Sequence, residues 1–190
     1  MCGRYTLFTD REIREMDEII EQISKDYPTE KMATGDIYPT NVVPVLVEET
    51  GVAVPRLMTW GMPGYQKNGV IINARSETAR EKRMFQHAME KRRCIIPSTG
   101  FYEWDRNKRK YLFNLERQQM LYMAGIFNLY EAEPRFAILT TAPNASVSPV
   151  HDRMPVVVPS NQIQAWLSGS GLNEQELYHH QPELIKIFMD

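Results

Sequence analysis

Residues 94–141 read CIIPSTGFYEWDRNKRKYLFNLERQQMLYMAGIFNLYEAEPRFAILTT. Apolar and aromatic runs at Cys94–Ile96, Phe101–Trp104, Tyr111–Leu115, Leu121–Tyr130 and Arg135–Thr141 alternate with breakers and with a charged tip at Asp105–Lys110. Short runs rich in β-branched and aromatic residues, closed off by turn residues, predict strands joined as a meander. Upstream, Val42–Glu48 and Val52–Trp60 read as two more strands across Glu49-Thr50-Gly51. Pro44 and Pro55 push that pair towards a sheet edge. Val70-Ile71-Ile72 reads as a short buried strand, and Met154–Val158 as a returning one.

Helices flank this sheet. Thr9-Asp10-Arg11-Glu12 has the form of a capping box, and Ile13, Met16, Ile19, Ile20 and Ile23 follow at helical spacing. An amphipathic helix from Asp10 to about Lys25 is expected. A second is expected over Thr78–Lys91 with Met84, Phe85, Ala88 and Met89 inward, and a short one after Pro159 with Trp166 inward. The fold class is therefore α+β, mainly antiparallel sheet curled into an irregular barrel with flanking helices. The chain is read as one domain over residues 1–190, with 168–190 as a loosely packed helical tail.

Composition narrows the class. Of 190 residues, 43% are hydrophobic and 24% charged, the balance of a chain that buries a core. No run of 18 apolar residues suggests a membrane span, and the start lacks a secretory signal. Two cysteines do not make a disulfide framework, which points to the cytoplasm. Two cysteines and four histidines without ligand spacing argue against a metal. Net charge is −2, yet residues 75–110 hold 11 of the 22 Lys and Arg against 5 Asp and Glu. That asymmetry reads either as a basic face for nucleic acid or as a solvated helix and hairpin tip.

Four residues stand where packing alone does not ask for them. Cys2 follows Met1, so removal of Met1 leaves an α-amine and a thiol on adjacent carbons. Such a pair condenses with an aldehyde to an imine and closes a thiazolidine ring. The amine, with a pKa of roughly 7.7–8, is nucleophilic at neutral pH far more often than a lysine. Asn73 ends an apolar run; it either caps the following helix or holds the N-terminal amine. Glu103 shares a strand face with Phe101, and on an inward face its pKa rises. His151 titrates near neutrality and serves either as a proton carrier or as a loop residue bonded to Asp152. His87 and the pair His179-His180 carry no such signal.

Met1-Cys2-Gly3-Arg4-Tyr5, Ile72-Asn73-Ala74-Arg75-Ser76-Glu77-Thr78, Gly100-Phe101-Tyr102-Glu103-Trp104 and His151-Asp152-Arg153-Met154-Pro155 stand in sequence order. With Trp60-Gly61 and Cys94-Ile95-Ile96-Pro97, this arrangement resembles the SOS-response-associated peptidase (SRAP) family over roughly residues 2–167. The resemblance implies a DNA-damage protein that senses abasic sites in single-stranded DNA and crosslinks to them through Cys2, shielding the strand. It implies lyase-type chemistry with autopeptidase processing, although only Met1 precedes Cys2 here. Cys2, Asn73, Glu103 and His151 would be catalytic. Arg4, Arg75 and Arg153 would contact phosphates, and Trp60 and Tyr65 would contact DNA as aromatics. Tyr65 stands where family members often carry tryptophan.

No cofactor is implied. The expected partner is single-stranded DNA containing abasic sites, with no membrane and no metal. The protein would be a monomer, cytoplasmic and nucleoid-associated when bound. Two rival classes are a cysteine hydrolase using Cys2 and His151, and a non-catalytic single-strand binder.

Overall fold

The computed structural model describes residues 2–9, 13–64 and 69–189. In chain order the elements begin with β1 (Tyr5–Leu7), α1 (Arg14–Asp26), β2 (Gly35–Ile37), β3 (Val42–Glu49), β4 (Val52–Trp60), β5 (Met62–Pro63), β6 (Val70–Ile71) and β7 (Asn73–Arg75). They continue with α2 (Ser76–Ala79), α3 (Arg83–Lys91), β8 (Arg93–Ser98), β9 (Gly100–Trp104), β10 (Lys110–Asn114), β11 (Leu121–Tyr130) and β12 (Glu133–Thr141). The last are β13 (Met154–Pro155), α4 (Ile163–Ser168), α5 (Glu174–His179) and β14 (Ile185–Met189).

Five strands close on themselves in the order β11-β8-β3-β4-β12, with β11 pairing back onto β12. The barrel is antiparallel except at the β4–β12 seam, where Arg135 and Phe136 run parallel to Thr59 and Trp60. β3 is interior despite Pro44, and its ladder to β8 is a single pair, Leu46 with Ile95. Pro55 lies in the half of β4 that makes no pairs with β12, so a proline without an N–H costs no ladder bond on that side.

A second sheet, β14-β10-β9-β1-β2, leaves the barrel at the β8–β9 corner. Gly100 makes that corner possible: a Cβ there would sit 2.8 Å from Phe113 O. The corner is fastened to β1 by the Thr6–Thr99 hydroxyl bond of 2.8 Å and by Thr99 N–H donating to Thr6 O at 2.8 Å. One strand crossing thus joins the chain start, through β1, to the strand that carries Glu103.

Helix α1 buries Met16, Ile19 and Ile23, as its spacing predicts. Its described start is at Arg14, with Ile13 as an N-cap that makes no side-chain bond. Residues 10–12 of the Thr9–Glu12 box lie outside the described residues. The expected helix over 78–91 is two helices, because Lys82 takes an extended backbone and starts α3 afresh. The Val70–Ile72 strand is not buried: Val70 is exposed, and β6 pairs only with β5. The tail also differs from its expectation. Leu177, Tyr178 and Leu184 are buried, and residues 185–189 form a strand on β10 in place of helix. The alternation of isoleucine with lysine and phenylalanine in Ile185-Lys186-Ile187-Phe188 is a strand pattern.

Candidate active site at the chain start

Asn73 sits at the head of β7, which β12 holds in parallel through Ile138, Leu139 and Thr140. Its Nδ2 donates to Cys2 O at 3.0 Å. The cap of α2 is Arg75, with no side-chain bond, so Asn73 is not a helix cap. Among the described residues, Asn73 Oδ1 is buried and has no hydrogen-bond partner. A buried amide oxygen left unpaired is costly, of order 1–3 kcal/mol, which marks it as kept for a donor.

Cys2 is wholly buried, and its Sγ lies 3.7 Å from Arg4 O. Burial, and secondarily the nearby Glu103 carboxylate, push its thiol well above the usual thiol range. The thiol is thus held protonated. Beneath it Tyr5 packs edge-on against Trp60 at 5.2 Å, and Trp60 stacks on Phe136.

Glu103 is on the inward face of β9 with Phe101, as the two-residue period requires, and is only 2% exposed. Burial pushes its carboxyl up to about 7. His151 Nε2 lies 3.7 Å from Glu103 Oε2. On the other side of the ring, Nδ1 accepts the backbone N–H of Arg153 at 3.1 Å. The proton of the neutral imidazole then belongs on Nε2, facing Glu103. Asp152 Oδ1 is also 3.1 Å from Nδ1, but this side chain is 90% exposed and free to turn into water, whereas the Arg153 amide is fixed in the backbone. Burial lowers the His151 pKa, so the ring is neutral near pH 7.

The four candidate residues therefore converge at one place: Asn73 on the Cys2 backbone, Glu103 near the thiol, and His151 near Glu103. The auxiliary residues divide. Arg4 is held with Cζ 4.4 Å above the Tyr38 ring and 5.3 Å above Trp104. Arg75 is exposed beside the site. The Arg153 guanidinium forks onto Glu77 at 2.5 and 2.8 Å and donates to Thr140 O at 2.6 Å. Trp60 is fully buried and its indole N–H donates to Ile72 O at 3.1 Å, so it packs the site from below and cannot stack on a base. Tyr65 lies outside the described residues.

Sequence reasoning missed an aromatic pair, the exposed Tyr38 and the half-buried Trp104. Tyr38 and Trp104, brought together by Arg4, present ring surface at the rim. The signal was available in Trp104, which the two-residue period places opposite Glu103. A groove of about 590 Å³ runs from Trp104 past Arg106 and Asn107 to His151. Much of the basic segment is spent internally: Arg80 and Arg93 pair with Glu174, and Arg109 with Asp105. Among the described residues no cluster of three or more His, Cys, Asp or Glu could hold a metal, and no helix is long and apolar enough to cross a membrane.

The barrel thus brings Cys2, held by Asn73, near a buried carboxyl that faces an imidazole. The chain belongs to the SOS response associated peptidase (SRAP) family, whose model matches residues 1–186. It is similar to abasic site processing protein YoqW of Bacillus subtilis, 33% identical over 189 residues, covering 88% of this chain and 80% of that one. Abasic site processing protein YoaM of the same organism is 31% identical over 186 residues, covering 88% of this chain and 79% of that one. A crystal structure of a protein from Bordetella bronchiseptica shares the fold, with a TM-score of 0.78 at 20% identity and full coverage of both chains.

Proposed function

We propose that this protein processes abasic sites in single-stranded DNA, capturing them covalently through Cys2 once Met1 has been removed. The abasic sugar opens to an aldehyde. The α-amine of Cys2 attacks C1′ and expels water to give an imine. The Cys2 thiol then adds to the same carbon: the S–C1′ bond forms, and the thiol proton passes to the imine nitrogen. The product is a five-membered thiazolidine. Left as an imine, the sugar would lose its C2′ proton and then its 3′ phosphate. Ring closure removes the imine and shields the strand.

The hydrogen bond from Asn73 to the Cys2 carbonyl carries this reading. It holds the backbone of residue 2 while the unpartnered Asn73 Oδ1 remains to accept the freed amine. Glu103, with a carboxyl near 7, can donate a proton in sugar opening and take one from the thiol. His151, neutral and beside it, assists both transfers. Arg4 and Arg75 meet phosphates, and Tyr38 with Trp104 gives flanking bases a stacking surface. The chain is a single functional unit, acting as a monomer in the cytoplasm.

A hydrolase built on Cys2 and His151 is less well supported. The thiol lies against the Arg4 carbonyl, while the His151 ring nitrogens face Glu103 at 3.7 Å and the Arg153 amide at 3.1 Å, which is not a thiol set on its imidazole base. The test is intact mass spectrometry after mixing with an abasic single strand. A complex that survives denaturant is expected from wild type and absent from Cys2→Ala. Equal adduct from Cys2→Ala would refute the thiazolidine.

A further inference from the structure

The family resemblance implies Arg153 as a phosphate ligand, yet among the described residues its side-chain hydrogen bonds run back into the protein. Two guanidinium nitrogens fork onto both Glu77 oxygens at 2.5 and 2.8 Å, and Nη2 also reaches Thr140 O at 2.6 Å and Thr140 Oγ1 at 3.3 Å. The Arg153 side chain is 13% exposed and that of Glu77 49%. Bidentate Arg–carboxylate pairs fix direction as well as distance. The Arg153 guanidinium beside Glu77 holds that carboxyl below its usual range, so the pair is ionised throughout the neutral region.

The backbone of the same arginine touches the site. Arg153 N–H donates to His151 Nδ1 at 3.1 Å, and the opposite ring nitrogen faces Glu103 at 3.7 Å. The loop that carries His151 spans residues 142–153 between β12 and β13. The ring's tautomer depends on where residue 153 is held, and the fork on Glu77 holds it against α2 and β12. From these contacts we infer that Glu77 is a positioning residue: through Arg153 it fixes the His151 loop and keeps the imidazole proton on Nε2. The inference rests on the proposed roles of Glu103 and His151, and its geometry is testable without them.

The test compares wild type, Glu77→Gln and Glu77→Asp by three readouts. Long-range proton–nitrogen NMR separates the two ring nitrogens of His151, with His151→Gln supplying the assignment among four histidines. Wild type should show a proton on Nε2 and a lone pair on Nδ1. Glu77→Gln should average the two tautomers, and Glu77→Asp, which keeps the charge, should restore most of the wild-type pattern. Single-turnover adduct formation should slow roughly tenfold or more in Glu77→Gln. Binding to a strand with a tetrahydrofuran residue, which lacks the aldehyde, should stay within about twofold.

An unchanged His151 tautomer in Glu77→Gln overturns the inference whatever the adduct does. So does tighter binding of the tetrahydrofuran strand with a steeper salt dependence, since Glu77 would then be a stand-in for a DNA phosphate on Arg153. If wild type forms no adduct at all, the proposed function fails, while the NMR comparison still decides the role of Glu77.

Discussion

Glu103→Gln should make the protein more stable above neutral pH while removing its chemistry. The carboxyl is 2% exposed and is pushed up to about 7 from an ordinary 4.5 by burial. Between those two values the folded chain keeps a proton that the unfolded chain has lost. Stability therefore falls as pH rises through this window, and the loss is complete above about 7. At about 1.36 kcal/mol per pH unit, the penalty is about 3 kcal/mol, as an upper figure. Glutamine has the same shape and does not ionise, so it escapes the penalty. For a domain of this size about 3 kcal/mol corresponds to a rise in Tm of roughly 6–12 °C. Thermal unfolding followed by circular dichroism, at intervals from about pH 4 to about pH 8, measures it directly. The two proteins should match at the acid end and diverge steadily towards the alkaline end. Parallel curves, or a less stable glutamine variant at about pH 8, would refute the claim that burial of Glu103 is costly. The proton-donor role would lose its physical basis with it. A gain in stability with a loss of adduct is the trade expected of a group kept for function.

Adduct formation should have a bell-shaped pH dependence. The rising limb belongs to the Cys2 amine at roughly 7.7–8, and the falling limb to Glu103 at about 7. Any residual single-turnover rate in Glu103→Gln should lack the falling limb. Arg4→Ala should reduce the slope of log affinity against log salt by about 0.7 for single-stranded DNA, the signature of one lost phosphate contact, in a fluorescence anisotropy titration. Trp104→Ala should weaken binding by about 1–3 kcal/mol if a base stacks there, and a salt titration should show its slope unchanged. Gly125→Ala should destabilise by about 1–3 kcal/mol in urea, because a Cβ would run into Ile96 Cδ1 and lie 3.0 Å from Cys94 Sγ.

What the sequence made legible was local. The two-residue period put Glu103 on the same face as Phe101, and that face is inward. Strand β11 begins and ends where its apolar run does, at Leu121 and Tyr130. Closure of the barrel was legible only as a class, because the β4–β12 seam joins Trp60 to Phe136 across the length of the intervening chain. The family resemblance implied Trp60 as an aromatic facing DNA, and a tryptophan reads the same in sequence whether it faces DNA or the core. Only the fold shows that Tyr5 covers it.

Asn73 and Arg153 expose the same gap from opposite sides. Asn73 read either as a helix cap or as a holder of the N-terminal amine, and the family resemblance implied Arg153 as a phosphate contact. In each case a partner more than 70 residues away decides the matter. Asn73 turns from the helix to the Cys2 carbonyl, and Arg153 turns from solvent to Glu77. Short-range pattern thus picks out candidate side chains, and long-range pairing shows how each is held: Asn73 on the Cys2 carbonyl, Arg153 on Glu77.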